Sequence, residues 1–243
     1  MNIALIIGCA RSGTSILGEL IGSHPEVNYI FEAHHIWEIA GLGVNESHRL
    51  LDIHATPEVK EKIREYFKLQ QGESKIVVEK CPRNVLRVPF VRAVFPEAKI
   101  IHVIRDGRDV VCSLLPGIGG DEWGHLRPPT WKILMQNYEG IKRCALAYKA
   151  IMEIALQDLK LVPHFQISYE DLVLEPNTIA DNIFNYLGLR ASPETKEFCG
   201  KIQDDIISSY HAQHQERWFT DNHRKRIGRW RENLTEDQQR EVY

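Results

Sequence analysis

Short apolar runs alternate along this chain with longer stretches in which apolar residues recur every three or four positions. Ile3–Ile7 reads as a buried strand, followed by a helix over Thr14–Ile21 that stops near Ser23-His24-Pro25. Val27–Phe31, Lys75–Val78, Lys99–Ile104 and His164–Ser168 have the Ile/Val content or the flanks of further strands. Thr56-Pro57 places an N-cap ahead of a proline at the first helical position, opening a helix toward Gly72. Helices are also predicted over about Asn84–Phe95, over Arg108–Leu115 up to Pro116 and the glycines Gly117, Gly119 and Gly120, and over Thr130–Leu159. A last one, Asn177–Leu187, ends at Gly188 as a C-cap. From about Gln203 to Arg231 the chain is polar, aromatic and basic, with weak periodicity. Strands alternating with helices predict an α/β fold with a mostly parallel sheet. The linking segments are too short to mark a second domain, so residues 1–243 are expected to form one.

Composition narrows the class. Thirty Lys+Arg face 33 Asp+Glu, a net charge of −3, with 43% hydrophobic and 26% charged residues. Disordered and collagen-like chains are excluded. The mild acidity argues against nucleic acid as a partner. No apolar run of about 18 residues occurs, so no membrane span is expected. The stretch Met1–Gly8 lacks the basic flank and length of a signal peptide. The five cysteines, Cys9, Cys81, Cys112, Cys144 and Cys199, are odd in number and scattered without a CxxC. That usage fits free thiols in a reducing compartment, and a cytoplasmic location is expected.

Two loops carry the candidate chemistry. Gly8-Cys9-Ala10-Arg11-Ser12-Gly13-Thr14-Ser15 joins a strand to a helix, where consecutive N–H groups and the helix N-terminus favour an anion. The spacing is that of a nucleotide P-loop, which sharpens the expected fold to a P-loop-like three-layer α/β/α domain. Thr14 stands where the P-loop lysine belongs, and the nearest cation is Arg11. The loop should therefore bind a phosphate-like group without the usual equipment for γ-phosphoryl transfer. Arg105-Asp106-Gly107-Arg108-Asp109-Val110-Val111-Cys112-Ser113 also leaves a strand and enters a helix, with Arg105 at the carboxyl edge of the sheet. Ser113 follows about two helical turns later. Arg108 and Asp109 could form no more than a surface ion pair.

In these details the chain resembles sulfotransferases that use 3′-phosphoadenylyl sulfate (PAPS). Gly8–Ser15 is similar to their 5′-phosphosulfate loop and Arg105–Ser113 to their 3′-phosphate motif. Tyr169-Glu170-Asp171-Leu172 resembles the segment whose Tyr contacts the nucleotide, and Gly228-Arg229-Trp230-Arg231-Glu232-Asn233-Leu234 the C-terminal segment that closes over it. Arg-Ser-Gly-Thr-Ser, Glu-Lys-x-Pro-Arg-Asn and Arg-Asp-Gly-Arg-Asp look more like the tyrosylprotein and carbohydrate branches and their bacterial relatives than like the cytosolic arylsulfotransferases. Golgi members carry an anchor ahead of the loop, and this chain begins at the strand. The expectation is a bacterial-type soluble enzyme or a trimmed form.

The resemblance implies transfer of a sulfuryl group from PAPS to an acceptor hydroxyl on a peptide tyrosine, a sugar or a small natural product, releasing the bisphosphate nucleotide PAP. It also implies that Arg11 and the amides and hydroxyls of Ser12, Gly13, Thr14 and Ser15 hold the 5′ end. Arg105, Ser113 and Tyr169, with Arg226, Gly228 and Arg229, would hold the 3′-phosphate. Lys80, just past the strand Lys75–Val78, is the candidate cation for the bridging oxygen, unless it only pairs with Glu79 or lies on the surface. Glu32, ending Val27–Phe31, is the candidate general base, with His34 and His35 as alternatives. Partial burial is expected to raise the Glu32 pKa toward neutrality. No metal is expected, since His34-His35 and His211-x-x-His214 lack partners at ligand spacing. His223-Arg224-Lys225-Arg226 could otherwise be a solvated basic tail, and Trp123, Trp131, Trp218 and Phe219 line either an acceptor cleft or the core. Ala33–Leu51 and Leu115–Thr130 are the segments expected to choose the acceptor. Two alternatives stay open: a P-loop kinase or NTPase-like enzyme, and a non-catalytic PAPS- or PAP-binding module.

Overall fold

Five apolar runs pair into one parallel sheet: β1 (Ile3–Gly8), β2 (Val27–Phe31), β3 (Ile76–Lys80), β4 (Lys99–Ile104) and β5 (Phe165–Ser168), in the order β2-β3-β1-β4-β5. The computed structural model describes residues 1–41, 47–114, 126–204 and 223–242. β1 lies at the centre and every one of its residues is buried, which is why its sequence is a continuous apolar run without alternation. Ile6 sits between Lys80 on β3 and Ile101 on β4.

In chain order the helices are α1 (Thr14–Gly22), α2 (His34–Trp37), α3 (Pro57–Gln71), α4 (Val88–Val94), α5 (Gly107–Cys112), α6 (Trp131–Asn137), α7 (Gly140–Leu159), α8 (Tyr169–Leu174), α9 (Pro176–Leu187), α10 (Pro193–Gln203), α11 (Trp230–Asn233) and α12 (Glu236–Val242). Ala4, Ile6, Val78 and Val103 pack with α1, α8, α9 and α10 on one face of the sheet. Leu5, Ile7, Val77 and Ile100 pack on the other with α3, α4 and α7. This is the expected α/β/α layering, with every strand pairing parallel. The neighbouring strands β1 and β4 send their helices, α1 and α5, to opposite faces. Their carboxyl ends therefore open into a crevice of the kind where open α/β sheets hold ligands.

Several boundaries differ from expectation. The helix predicted over Asn84–Phe95 is a 3-10 turn, Pro82–Leu86, followed by α4, with Arg87 between them at φ −127°. Pro89 has no N–H to extend a ladder from upstream, so the helix restarts there. The helix predicted over Thr130–Leu159 is two, α6 and α7, separated by Tyr138 and Glu139 in extended conformations. Gly140, at φ 53°, turns the chain into α7. The helix expected from Arg108 begins at Gly107, where the Asp106 side chain caps the Arg108 amide. Helices α2, α8, α10, α11 and α12 have no counterpart among the elements predicted from the sequence. Thr56 caps α3 as expected, accepting from Val59 N at 3.4 Å. Pro116, Gly117, Gly119, Gly120, Trp123, His211, His214, Trp218 and Phe219 lie outside the described residues. Trp131 belongs to the core. All five cysteines are buried and none is in a disulfide. Among the described residues no helix is long and apolar enough to cross a membrane.

Candidate active site

The first loop leaves β1 where its neighbours crowd the backbone. Arg11 (φ 71°) and Gly13 (φ 93°) both take the left-handed conformation that curls successive N–H groups inward. Gly13 precedes α1 and makes no side-chain cap, so the first amides of that helix remain open to an anion. Glycine is required at this position. A Cβ would collide with the Tyr169 ring. The Ser12 hydroxyl is buried and has no hydrogen-bond partner among the described residues.

Arg105 leaves β4 and ties the second loop to the first. Its Nη1 donates to Arg11 O at 3.1 Å, its Nη2 to Arg226 O at 2.6 Å, and its guanidinium stacks 4.3 Å above the Tyr169 ring. The Tyr169 hydroxyl in turn donates to His223 O at 3.1 Å. Arg229 Nη2 donates to the Ser113 hydroxyl at 2.6 Å. Residues widely separated in sequence thus surround one place at the carboxyl edge of β1 and β4. Burial, then the like charges of Arg226, Arg229 and Arg105, push Arg11 down to about 10. Arg105 is lowered as well, first by burial and then by Arg229 against the opposing pull of Tyr169 and Asp109. The like charges that bear on Arg11 are ones an anion placed among them would offset.

For Asp109 the plain alternative, a surface ion pair with Arg108, does not hold. It is not paired with Arg108 at the surface; Arg108 pairs instead with Asp106 at 2.7 Å. Asp109 is fully buried and accepts from Gly228 N at 2.7 Å and Trp230 N at 3.1 Å. The carboxylate therefore fastens the C-terminal segment that brings Arg226 and Arg229 to the crevice. The guanidinium groups of Arg108 and Arg231 lie over the Trp230 ring, 4.2 and 4.6 Å from its centroid. His223, behind Tyr169, was also not singled out as a contact. Its only signal in the sequence was its place beside the basic cluster.

One strand away, β2 and β3 end side by side. Glu32 follows β2 in a left-handed conformation, φ 46°, and its amide donates to Lys80 O at 2.8 Å. Lys80 is fully buried, and its ammonium pairs with Glu32 Oε1 rather than with Glu79. His34 Nε2 donates to Glu32 Oε2 at 3.0 Å, and Cys81 Sγ lies 3.5 Å from His34 Nδ1. His35 is not brought into this group; it packs edge-on to Tyr66 with centroids 5.3 Å apart. The expected rise in the Glu32 pKa does not occur. Burial does push the carboxyl up, but the hydrogen bond from His34 and the charge and hydrogen bond of Lys80 outweigh it and bring it to about 2. Lys80 is lowered by burial and partly restored by Glu32. Among the described residues no group of three His, Cys, Asp or Glu side chains is placed to hold a metal.

Comparison with known proteins puts this arrangement in context. The model of the sulfotransferase family matches residues 4–193. Protein-tyrosine sulfotransferase 2 of Gallus gallus is 22% identical over 208 residues, 78% of this chain and 52% of that protein. The chain spans between 36% and 52% of the length of the protein-tyrosine sulfotransferases it matches. Among solved structures, the sulfotransferase domain from the curacin biosynthetic pathway shares the fold with a TM-score of 0.60 and 15% identity, covering 100% of this chain and 96% of that one. A mouse sulfotransferase complexed with PAP does so with a TM-score of 0.54 and 14% identity, covering 98% and 81%.

Proposed function

The chain belongs to the sulfotransferase family, and on that premise we propose that it transfers a sulfuryl group from PAPS to an acceptor hydroxyl, releasing PAP. The observation that carries the reading is the cluster of Arg11, Arg105, Arg226 and Arg229 at the mouth of a glycine loop that has no P-loop lysine. A donor with phosphate at both its 5′ and 3′ positions meets the charge of such a cluster. The mouse relative was solved with PAP.

The residues fit the donor. The buried, unpartnered Ser12 hydroxyl and the uncapped start of α1 offer hydrogen bonds to the 5′ end. Arg105 and the Arg229–Ser113 pair offer charge to the 3′-phosphate. PAPS supplies an activated sulfuryl group with a good leaving group, so positioning and charge stabilisation by the protein dominate. Lys80 neutralises negative charge that develops on the leaving oxygen. Glu32 takes the proton from the acceptor hydroxyl. In the resting arrangement Lys80 and His34 hold the Glu32 carboxylate far below the basicity that task requires. As Lys80 is drawn toward the developing charge, its grip on Glu32 loosens and the carboxylate becomes a stronger base at the moment the proton moves.

Calorimetric titration with PAP and with ATP, magnesium absent, tests the reading. PAP is expected to bind at least about tenfold more tightly than ATP, a difference of roughly 1.4 kcal/mol. ATP binding better, and only with magnesium, would overturn it in favour of a kinase-like enzyme.

A further inference from the structure

β3 ends in two charged residues that alternate across the sheet, Glu79 and Lys80. Lys80 meets Glu32. Glu79 meets the backbone that carries Glu32. Its Oε1 accepts from Ala33 N at 3.2 Å and from Trp37 Nε1 at 3.0 Å, and its Oε2 from Asn84 Nδ2 at 3.2 Å. One fully buried carboxylate therefore joins the β2–α2 turn, the end of β3 and the 3-10 turn after it.

The turn needs such a hold. A left-handed backbone costs a non-glycine residue about 1–3 kcal/mol and persists only where the surroundings over-determine it. At Glu32 the fixing contacts are the hydrogen bond its amide donates to Lys80 O on one side and the one the Ala33 amide donates to Glu79 on the other. Trp37 anchors the far end of the turn, buried against Phe67, Phe90 and Phe95 with centroids 5.4 to 6.3 Å away. Its single polar atom donates to the same Glu79 oxygen.

We propose that Glu79 is a positioning residue that, through the Ala33 amide and the Trp37 indole, holds the Glu32 carboxylate where it meets Lys80 and His34. The inference rests on the reading of Glu32 as general base. What the turn uses is an acceptor oxygen rather than a charge. The Asn84 Oδ1 atom has no partner among the described residues, so an amide at position 79 could donate to a flipped Asn84 and keep its own oxygen for the turn.

The test compares wild type with Glu79→Gln, Glu79→Leu and Trp37→Phe. Hydrogen–deuterium exchange over residues 32–37 and PAP affinity need no acceptor. In Glu79→Leu, exchange over 32–37 is expected to rise at least about tenfold while PAP affinity stays within about threefold. Glu79→Gln is expected to match wild type in both. Trp37→Phe, which removes the indole donor and leaves a smaller aromatic ring in its place, lies between them and serves if Glu79→Leu does not fold. On a hydroxyl acceptor that wild type sulfates, kcat in Glu79→Leu is expected to fall about 100-fold with KM for PAPS unchanged. Unchanged exchange in both Glu79→Leu and Trp37→Phe overturns the proposal, as does Glu79→Gln loosening the turn as much as Glu79→Leu. Wild-type turnover by Glu32→Gln would instead sink the base assignment and leave the exchange result standing.

Discussion

Glu32 combines a conformation rare outside glycine with two charge-assisted hydrogen bonds, and both features follow from where β2 and β3 end. Its role separates cleanly from that of Arg105, which touches backbone carbonyls of the first loop and of the C-terminal segment. Glu32→Gln keeps an oxygen for Lys80 and loses the proposed proton acceptor. Turnover is expected to fall by about 10²–10⁴ with PAP affinity preserved. Arg105→Ala is expected to weaken PAP binding about 10–100-fold, the worth of charged hydrogen bonds at a buried anion site. Calorimetry and saturating-donor kinetics on both variants check this, and equal losses of affinity would refute the division of labour. At this scale the sequence pointed to the residue types and positions. The pairing of Lys80 with Glu32, and the low Glu32 pKa that follows, depended on β2 lying beside β3.

At the scale of elements, short α5 does more than follow a strand. Its N-terminus is capped by Asp106, its buried Asp109 holds the Gly228 and Trp230 amides, and Ser113 at its end receives Arg229. Removing the Asp109 carboxylate leaves two amides without their acceptor and Arg105 without its nearest buried counter-charge, at 3.8 Å. Asp109→Ala is expected to cost about 2–4 kcal/mol in urea denaturation. It should also weaken PAP binding, because Arg226 and Arg229 reach the crevice on the segment that Asp109 fastens. Full PAP affinity in that variant would show that the segment needs no such latch. The arginine-aspartate loop was legible from its motif. The function of Asp109 was not, because its partners lie more than a hundred residues away in sequence and are backbone amides, which leave no mark on residue identity.

For the whole molecule, His48, His102 and His223, far from one another in the chain, are buried and held in neutral form. Burial, then nearby arginines, push His48 and His223 down to about 3, and burial with His164 pushes His102 to about 4. Their ordinary value is 6.5, so below it the unfolded chain binds protons that the folded chain refuses. Stability therefore falls as pH drops from 6.5, by up to about 1.4 kcal/mol per pH unit for each imidazole. Glu79, raised to about 7 by burial, acts the other way between its ordinary 4.5 and that value and offsets one of these protons. The net expectation is a urea midpoint that falls between about pH 7 and pH 5, more gently in His102→Gln. A level midpoint would count against buried neutral imidazoles.

By itself, the sequence determined the strands, the α/β class, the two anion loops and the family resemblance, because apolar periodicity, glycine turns and motif spacing are local properties. It misplaced boundaries where one residue decided the break, as at Pro89 and Gly140. Only the tertiary structure decided the strand order that sends α1 and α5 to opposite faces, the convergence of Arg11, Arg105, Arg226 and Arg229, and the lowered pKa of Glu32. Each of these depends on through-space burial and charge between segments distant in sequence, where interaction falls with distance in space and not with separation along the chain.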